Sequence, residues 1–274
     1  MTTATLYFDF IRRLVQERCG VLLESDKEYL MSSLLEPALG KWGMDSMAEL
    51  MARLWQEPQG PLSQSVVETM IPGETYFFRD PLFFEALEKK VLPELVEKRK
   101  GEKRLSIWSA ACSSGQEPYS VALLIKEKFP FLFQWDLILA ASDFSRGALD
   151  RAKQGRYSAL EVGRGLPAGY LAKYFRRLES DWQVNDDIRS AIDFKEINLK
   201  APSMEGSRID LILLRNVMIY FEVEMKINLL SKLQKSLRPD GYLFLGTSET
   251  TLFLENGFQS AAFEGSITGY QSRR

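Results

Sequence analysis

The chain has 274 residues, 45% of them hydrophobic, with a formal net charge of -2, two cysteines and no histidine. A chain of this length can bury a sizeable core, as one large domain or as a small domain beside a medium one. The charge balance gives no general attraction for nucleic acid or acidic membranes, and the absence of histidine excludes Ser-His-Asp catalysis, Cys-His catalysis and most catalytic zinc sites.

Apolar side chains recur at helical spacing in the first 70 residues. The stretch YFDFIRRLVQERCG ends at Gly20, a common helix stop. Its apolar positions fall on one helical face: Phe8, Ile11, Leu14 and Val15. Two similar patterns follow, and another short helix is predicted at residues 63–70. We therefore predict an N-terminal all-helical domain over residues 1–70.

The hydrophobic period changes after residue 70. Short apolar runs alternate with amphipathic stretches, the runs being RLSIWSA, DLILAAS, IDFKEIN, RIDLILL and YLFLGTS. This alternation predicts an α/β domain over residues 71–274, with a mainly parallel sheet covered by helices on both faces. The alternation breaks at about residues 156–190, where we predict a small inserted β-rich subdomain.

No apolar run approaches the roughly 20 residues that a membrane-spanning helix needs. The longest candidate, IDLILL, is followed at once by Arg215 and Asn216. The sequence also begins without a charged-then-apolar leader. These observations predict a cytoplasmic protein without membrane insertion.

Very small residues follow the first predicted strand, in the stretch WSAACSSGQEPYS. Ligands bind at the carboxyl ends of strands in such sheets, and small residues let a ligand approach the backbone. The stretch has one glycine, Gly115, where a dinucleotide fingerprint has three, and no Walker lysine follows it. The corner therefore favours an adenosine-type ligand without phosphate over a pyrophosphate.

Two acids stand where they could hold such a ligand. Glu117, at the start of the next helix, would repel phosphate but suits an amino acid's ammonium group. Asp143 closes the next strand, where a carboxylate can accept hydrogen bonds from ribose hydroxyls. Together they fit S-adenosylmethionine. The alternatives are that Glu117 is only a favourable charge in a first helical turn and that Asp143 is a helix N-cap.

Five stretches occur together in one order: ETYFFRD, WSAACSSGQEPYS, ASDFSRGALDRAKQGRY, RNVMIYF and LRPDGYLFLGTSE. In this the chain resembles the CheR-type chemotaxis methyltransferases along nearly its whole length. That family uses S-adenosylmethionine to methylate glutamate side chains of bacterial chemoreceptors. The resemblance implies a Rossmann-like methyltransferase sheet, with S-adenosylhomocysteine and glutamate methyl esters as products and receptor adaptation as the process served.

The resemblance also implies roles for individual residues. Thr75 and Arg79 would border the cofactor and the transferred methyl group. Glu117 would hold the cofactor's amino group and Asp143 its ribose. The remaining positions are Asn198 and Leu199 near the adenine, Arg215, Asn216 and Val217 at the methionine end, and Tyr220 facing the methyl group.

The implied reaction suits a chain without histidine. A glutamate has a reference pKa of about 4.3 and is already ionised at neutral pH, so the transfer needs no general base. Arg79 would hold the substrate carboxylate and Tyr220 would direct a hydroxyl toward it. We therefore predict that these two residues are catalytic.

Two departures from the family pattern affect these expectations. Gly73 stands among the cofactor-binding positions where the family often has asparagine, so that hydrogen bond is absent or made by backbone. The stretch between KYF and IDF is shorter than in members that dock a receptor's C-terminal pentapeptide, and it lacks their glycine-bearing loop. The sequence therefore does not support tethering through that peptide.

Other readings remain open at this point. The expected partners are the cytoplasmic helical domain of chemoreceptors and regulatory proteins, without nucleic acid. A nicotinamide-dependent oxidoreductase is disfavoured by the single-glycine loop. A nucleic-acid methyltransferase would need a basic groove with interleaved aromatic residues, which the sequence lacks. An S-adenosylmethionine-binding sensor or scaffold without transfer activity is the main alternative.

Overall fold

The structure, a computed structural model, describes residues 3–24, 28–202, 208–252, 254, 257–263 and 267–273. The chain divides into two compact units. The first comprises Met1–Pro72 and Tyr220–Met225, and the second comprises Gly73–Ile219 and Lys226–Arg274. The domain limits at 1–70 and 71–274 stay a prediction, which did not foresee that the segment from Tyr220 groups with the N-terminal residues.

The first unit is helical. Its helices are α1 (Thr3–Cys19), α2 (Glu28–Leu35), α3 (Met47–Gln56) and α4 (Pro61–Met70), with a 3-10 helix at Glu36–Trp42. The predicted face of α1 is confirmed, because Phe8, Ile11, Leu14 and Val15 are buried. Ser46 caps α3, because its hydroxyl accepts a hydrogen bond of 3.2 Å from the Glu49 amide.

The strands of the second unit form two sheets. In chain order they are β1 (Arg104–Ala110), β2 (Asp136–Asp143), β3 (Arg156–Ser158), β4 (Phe175–Arg177), β5 (Asp181–Val184), β6 (Ile192–Glu196), β7 (Ile209–Leu214), β8 (Leu237–Leu245), β9 (Phe258–Ala262) and β10 (Thr268–Ser272). The larger sheet has the order β6-β2-β1-β7-β8-β10-β9. Its first five members run parallel, and β10 and β9 pair antiparallel at one edge.

The second unit also contains helices. They are α5 (Pro81–Ala86), α6 (Leu92–Arg99), α7 (Gln116–Lys128), α8 (Arg146–Gln154), α9 (Ala159–Gly163), α10 (Ala168–Tyr174), α11 (Asp186–Arg189) and α12 (Val223–Ser236). A π-helical turn at Leu87–Val91 joins α5 to α6. All six residues of β7 are buried, as expected for a parallel strand with both faces covered. The predicted class, a mainly parallel sheet flanked by helices, is confirmed.

The inserted segment forms the smaller sheet. Its order is β3-β5-β4 and both pairings are antiparallel. Helices α9 and α10 lie between β3 and β4 along the chain, so the insert is less purely β than the sequence indicated. Tyr157 of β3 and Phe175 of β4 are buried and belong to the same hydrophobic core as the large sheet.

A buried charge cluster lies near the amino ends of β1 and β7. Asp210 is fully buried, and its Oδ1 lies 2.5 Å from Nε of Arg99. Its Oδ2 accepts a 2.9 Å hydrogen bond from the Ser106 amide of β1. Asp240 accepts hydrogen bonds from Nη1 and Nη2 of Arg99 at 2.9 and 2.6 Å, and Nε of Arg238 lies 3.4 Å from Oδ1 of Asp210. This cluster ties two central strands to α6.

Among the residues that the structure describes, no helix is both long and apolar enough to cross a membrane.

Candidate active site

The turn between β1 and α7 is unusually tight. Gly115 has φ +95°, and Ala111 and Ser113 also adopt positive φ. A Cβ at Gly115 would lie 2.9 Å from the Cβ of Ala152 in α8, so packing against α8 leaves no room for a side chain. Part of the small-residue pattern therefore has a structural cause, in addition to the ligand approach that the sequence predicted.

Asp143 joins this turn to the end of β2. Its Oδ2 accepts a hydrogen bond of 2.8 Å from the Ser113 amide, and its Oδ1 accepts one of 2.9 Å from the Ser145 amide. Helix α8 is capped by Ser145 and not by Asp143, so the N-cap alternative is wrong. A carboxylate oxygen can accept more than one hydrogen bond, so these contacts are compatible with a ribose partner.

Glu117 lies in the first turn of α7 within a network of charges. Its Oε1 accepts a hydrogen bond of 2.7 Å from the Ser109 hydroxyl, and its Oε2 lies 2.7 Å from Nη1 of Arg215. Nη2 of Arg215 donates to Oδ2 of Asp80 at 2.6 Å and to the carbonyl oxygen of Arg79 at 2.9 Å. The Arg215 guanidinium thus joins α7, the end of β7 and the segment before α5.

Asp80 is a residue whose role the sequence analysis missed. Asp80 forms an ion pair with Arg215. The Arg215 side chain is only 2% exposed, so this pair is nearly removed from water. The sequence showed Asp80 directly after Arg79 in the stretch ETYFFRD. It could not show that Asp80 pairs with Arg215, which is 135 residues away.

Arg79 lies on a loop that includes Gly73 and Thr75. Nη1 of Arg79 donates a hydrogen bond of 2.9 Å to the carbonyl oxygen of Glu74, and the side chain is half-buried. The Gly73 carbonyl accepts a hydrogen bond of 2.9 Å from the Ser113 hydroxyl, so this loop contacts the β1–α7 turn. The structure therefore brings Gly73 to the carboxyl end of β1, with Thr75 and Arg79 on the same loop.

The apolar residues before Arg79 hold the loop on the inserted subdomain. The Phe77 ring packs edge-to-face against Tyr157 at 5.0 Å and Phe175 at 5.7 Å between centroids. Phe78 packs against Tyr170 at 5.4 Å. The insert therefore supports the segment that carries Arg79.

Gly165 allows this close packing, and we expect Gly165→Ala to lower the free energy of unfolding by about 1–3 kcal/mol. Gly165 has φ +85°, and a Cβ there would overlap the Phe77 carbonyl oxygen. Thermal unfolding followed by circular dichroism would measure the change. The matched control is Gly163→Ala, where a Cβ would meet no atom within 4 Å. Equal melting temperatures for the two variants would contradict this view of the packing.

Glu249 organises the segments that follow β7 and β8. Its Oε2 accepts hydrogen bonds from the amides of Asn216 at 2.7 Å and Gly246 at 2.6 Å, and its Oε1 accepts one from Ile219 at 3.2 Å. Asn216 has φ +60°, so these bonds hold an uncommon backbone conformation. Val217, the next predicted position, is half-buried. The sequence analysis quoted Glu249 at the end of LRPDGYLFLGTSE but gave it no role.

The predicted adenine segment follows β6 and lies beside β2. The Ile197 amide donates a hydrogen bond of 3.0 Å to the carbonyl oxygen of Asp143. Asn198 accepts a bond of 3.0 Å from the Lys200 amide, and Leu199 is buried. The backbone thus places these residues next to Asp143.

Cys112, in the tight turn, is buried, and burial raises the pKa of its thiol well above the usual range. A thiol held neutral in this way is a poor nucleophile. Cys112 therefore serves as a small packing residue.

Tyr220 ends a 3-10 helix at Met218–Tyr220 and groups with the first unit. Its carbonyl oxygen accepts a hydrogen bond of 2.8 Å from the Leu22 amide. The role of its hydroxyl at the methyl group stays a prediction.

Comparison with known proteins decides the family. The family model described as "CheR methyltransferase, SAM binding domain" matches residues 73–265, and the model "CheR methyltransferase, all-alpha domain" matches residues 7–70. The chain belongs to the CheR methyltransferase family. Its cofactor is S-adenosylmethionine, which rules against the nicotinamide reading considered above.

Curated relatives agree with this assignment. The chain is 38% identical over 263 residues to "Chemotaxis protein methyltransferase Cher2" of Pseudomonas putida and 40% identical over 263 residues to "Chemotaxis protein methyltransferase 1" of Pseudomonas aeruginosa, covering 94% of this chain and 95% of each relative. A Vibrio cholerae "Chemotaxis protein methyltransferase 1" is 36% identical over 267 residues, with the same coverage. This CheR methyltransferase is thus similar to chemotaxis enzymes along nearly its whole length.

The residues of this CheR methyltransferase fit the cofactor. Glu117 offers a carboxylate for an ammonium group, and Asp143 offers one for hydroxyls. The turn between β1 and α7, which precedes Glu117 and contacts Asp143, lacks bulky side chains. A side chain at Gly115 would displace α8. The two acids lie at the carboxyl ends of neighbouring strands, where open α/β sheets bind ligands.

We propose that Glu117 holds the ligand's ammonium group, and on that basis we expect Glu117→Gln to lower the affinity for S-adenosylhomocysteine by about 10- to 100-fold, the effect of losing one charge-assisted hydrogen bond. Arg215 keeps Asp80 as a partner, so the fold should persist. Isothermal titration calorimetry would measure the dissociation constant. Glu127→Gln, near the other end of α7, is the matched control. Equal affinities for both variants would show that Glu117 does not hold the amine.

Proposed function

We propose that the chain transfers the methyl group of S-adenosylmethionine to glutamate side-chain carboxylates of a bacterial chemoreceptor, giving glutamate methyl esters and S-adenosylhomocysteine and tuning receptor adaptation. One observation carries the proposal: Arg215 bonds both to Glu117 and to the backbone of Arg79. The Glu117 carboxylate suits the cofactor's amine, and the Arg79 side chain can bind a carboxylate. Recognition of the donor and of the acceptor is thereby built into one network.

Arg79 can bind and orient the substrate. When bound, S-adenosylmethionine supplies a methyl group carried on a sulfonium. A guanidinium has five N–H donors in a planar fork, and one of them reaches the Glu74 carbonyl, so the fork can still bind a carboxylate. The substrate glutamate is already ionised, so Arg79 only has to orient it, and binding too tightly would blunt its reactivity.

A cavity of about 320 Å³ lies beside Arg215. Its lining combines the charged residues Asp80, Arg215 and Glu249 with apolar residues such as Phe83, Leu245 and Ile267. A mixed lining of this kind does not discriminate between acceptor side chains. The proposal of a glutamate acceptor therefore rests on Arg79.

We propose the cytoplasmic helical domain of a chemoreceptor as the protein partner, so the reaction would take place in the cytoplasm, open to control by regulatory proteins. We also propose that recognition does not depend on a C-terminal pentapeptide. The connection between β4 and β5 is a tight turn, closed by hydrogen bonds of 2.8 and 3.0 Å between the backbones of Leu178 and Asp181. This turn offers no long loop for such a peptide.

The test is incubation with methyl-labelled S-adenosylmethionine and a purified cytoplasmic chemoreceptor fragment. We expect the label to appear on the receptor and to be released as methanol by mild alkali, because carboxyl esters are base-labile. A receptor fragment whose candidate glutamates are replaced by alanine is the control. Label that resists alkali would contradict glutamate as the acceptor, whereas cofactor binding without any transfer would favour the sensor or scaffold alternative.

A further inference from the structure

A small charge cluster joins the inserted subdomain to the loop that carries Arg79. Arg164 directly follows α9, and its Nη2 lies 2.6 Å from Oε1 of Glu74. Its guanidinium also lies 4.1 Å from the centroid of the Tyr76 ring, and the Arg79 guanidinium lies 5.4 Å from the same centroid. Two arginines therefore share one aromatic ring and flank one acid.

Glu74 contacts both arginines in different ways. Its backbone carbonyl accepts the hydrogen bond from Arg79, whereas its carboxylate pairs with Arg164. The hydrogen bond and the charge of Arg164 lower the pKa of Glu74, and the charge of Arg79 adds a smaller effect of the same sign. Glu74 is therefore ionised at neutral pH and within electrostatic reach of both guanidinium groups.

We propose that Arg164 is a positioning residue for Arg79: by holding the Glu74 carboxylate, it keeps the Arg79 guanidinium available for the substrate carboxylate. The inference rests on the proposed function, because it takes Arg79 as the group that binds the glutamate to be methylated. It adds a role for a residue of the inserted subdomain that lies outside the five stretches quoted in the sequence analysis.

The physical reason is competition between two carboxylates. If Arg164 is removed, Arg79 is the other arginine whose charge acts on Glu74, and its side chain is already bonded to the Glu74 backbone. A carboxylate on the same loop has a high effective concentration and competes with an incoming substrate. Removal of Arg164 should therefore weaken mainly the binding of the substrate. At saturating substrate the variant should still reach its normal turnover.

Arg164→Ala is expected to raise the KM for the receptor fragment by about three- to fivefold at low ionic strength, the scale of one exposed ion pair, with kcat changed less than about twofold. The Glu74 and Arg164 side chains are 63% and 54% exposed, so added salt should shrink the defect. Arg164→Lys should keep most of the function. The double variant Arg164→Ala/Glu74→Gln should recover the KM, because the competing charge is gone.

The control is Arg156→Ala, which breaks another exposed ion pair of the insert, with Asp181 at 3.3 Å. It should leave KM unchanged. The melting temperature and the S-adenosylhomocysteine affinity of Arg164→Ala should also match the unaltered chain. An unchanged KM in Arg164→Ala, or a double variant as impaired as the single one, would overturn the inference.

A crystal structure of Arg164→Ala separates this inference from the proposed function. We expect the Glu74 carboxylate to turn to the Arg79 guanidinium. If it stays away from Arg79, the inference fails whatever the activity. If the unaltered chain labels no receptor, the proposed function fails instead, and the position of Glu74 in the variant still decides whether Arg164 restrains it.

Discussion

Arg79→Ala is expected to lower kcat for methyl transfer by about 10²- to 10³-fold, the usual effect of removing one preorganised electrostatic group from a site. The affinity for S-adenosylhomocysteine should change much less, because Arg215 contacts the backbone carbonyl of Arg79, which alanine keeps. Single-turnover labelling of a receptor fragment would measure the rate, and calorimetry would measure the affinity.

Two variants sharpen this test. Arg79→Lys keeps the charge but loses the planar fork, so its rate should lie between those of the unaltered chain and the alanine variant. Arg104→Ala removes an exposed arginine at the amino end of β1, opposite the site end of the strand, and should be neutral. Near-normal methylation by Arg79→Ala would refute the catalytic role of Arg79.

Asp210→Asn is expected to lower the free energy of unfolding by about 3–5 kcal/mol, because it removes one charge from a buried cluster and leaves its partners uncompensated. Asparagine has nearly the volume of aspartate, so the loss would report charge and hydrogen bonding and not a cavity. Arg99 would retain Asp240, but its Nε and the Ser106 amide would lose a carboxylate acceptor.

Urea unfolding followed by circular dichroism would measure this loss. Asp136→Asn is the control, because its side chain is 62% exposed and its contact with Arg104 is 3.5 Å. Surface pairs of this kind contribute about 0–1 kcal/mol. A loss below about 1 kcal/mol in Asp210→Asn would mean that the cluster does not hold the amino ends of β1 and β7 together.

The fold was predictable because its signals are local in the chain. Continuous apolar runs such as that of β7 indicate covered parallel strands, and a run of small residues after β1 indicates a crossover turn. The sequence placed Glu117 and Asp143 after successive predicted strands, and those strands, β1 and β2, are parallel neighbours in the sheet.

The electrostatic connections were not predictable in this way. Asp80 and Arg215 are 135 residues apart, and Glu74 and Arg164 are 90 apart. Asp210 lies inside an apolar run, where hydrophobic patterning gives no hint of its partner Arg99. Hydrophobic periodicity predicts which face of a helix or strand is buried, but it does not predict which charged residues pair across long distances in the chain. The structure was therefore needed to identify these pairs.

The nearly buried Arg215 guanidinium should limit local opening of the structure around it. It is hydrogen-bonded to Glu117 at the start of α7. It is also hydrogen-bonded to Asp80 and to the carbonyl oxygen of Arg79, both just before α5. If either segment separates from the end of β7, this guanidinium loses one of its two carboxylate partners, which costs free energy at a site shielded from water. Fluctuations that expose this corner should therefore be rare and collective, and amide hydrogen exchange should show the three segments opening together as one cooperative unit.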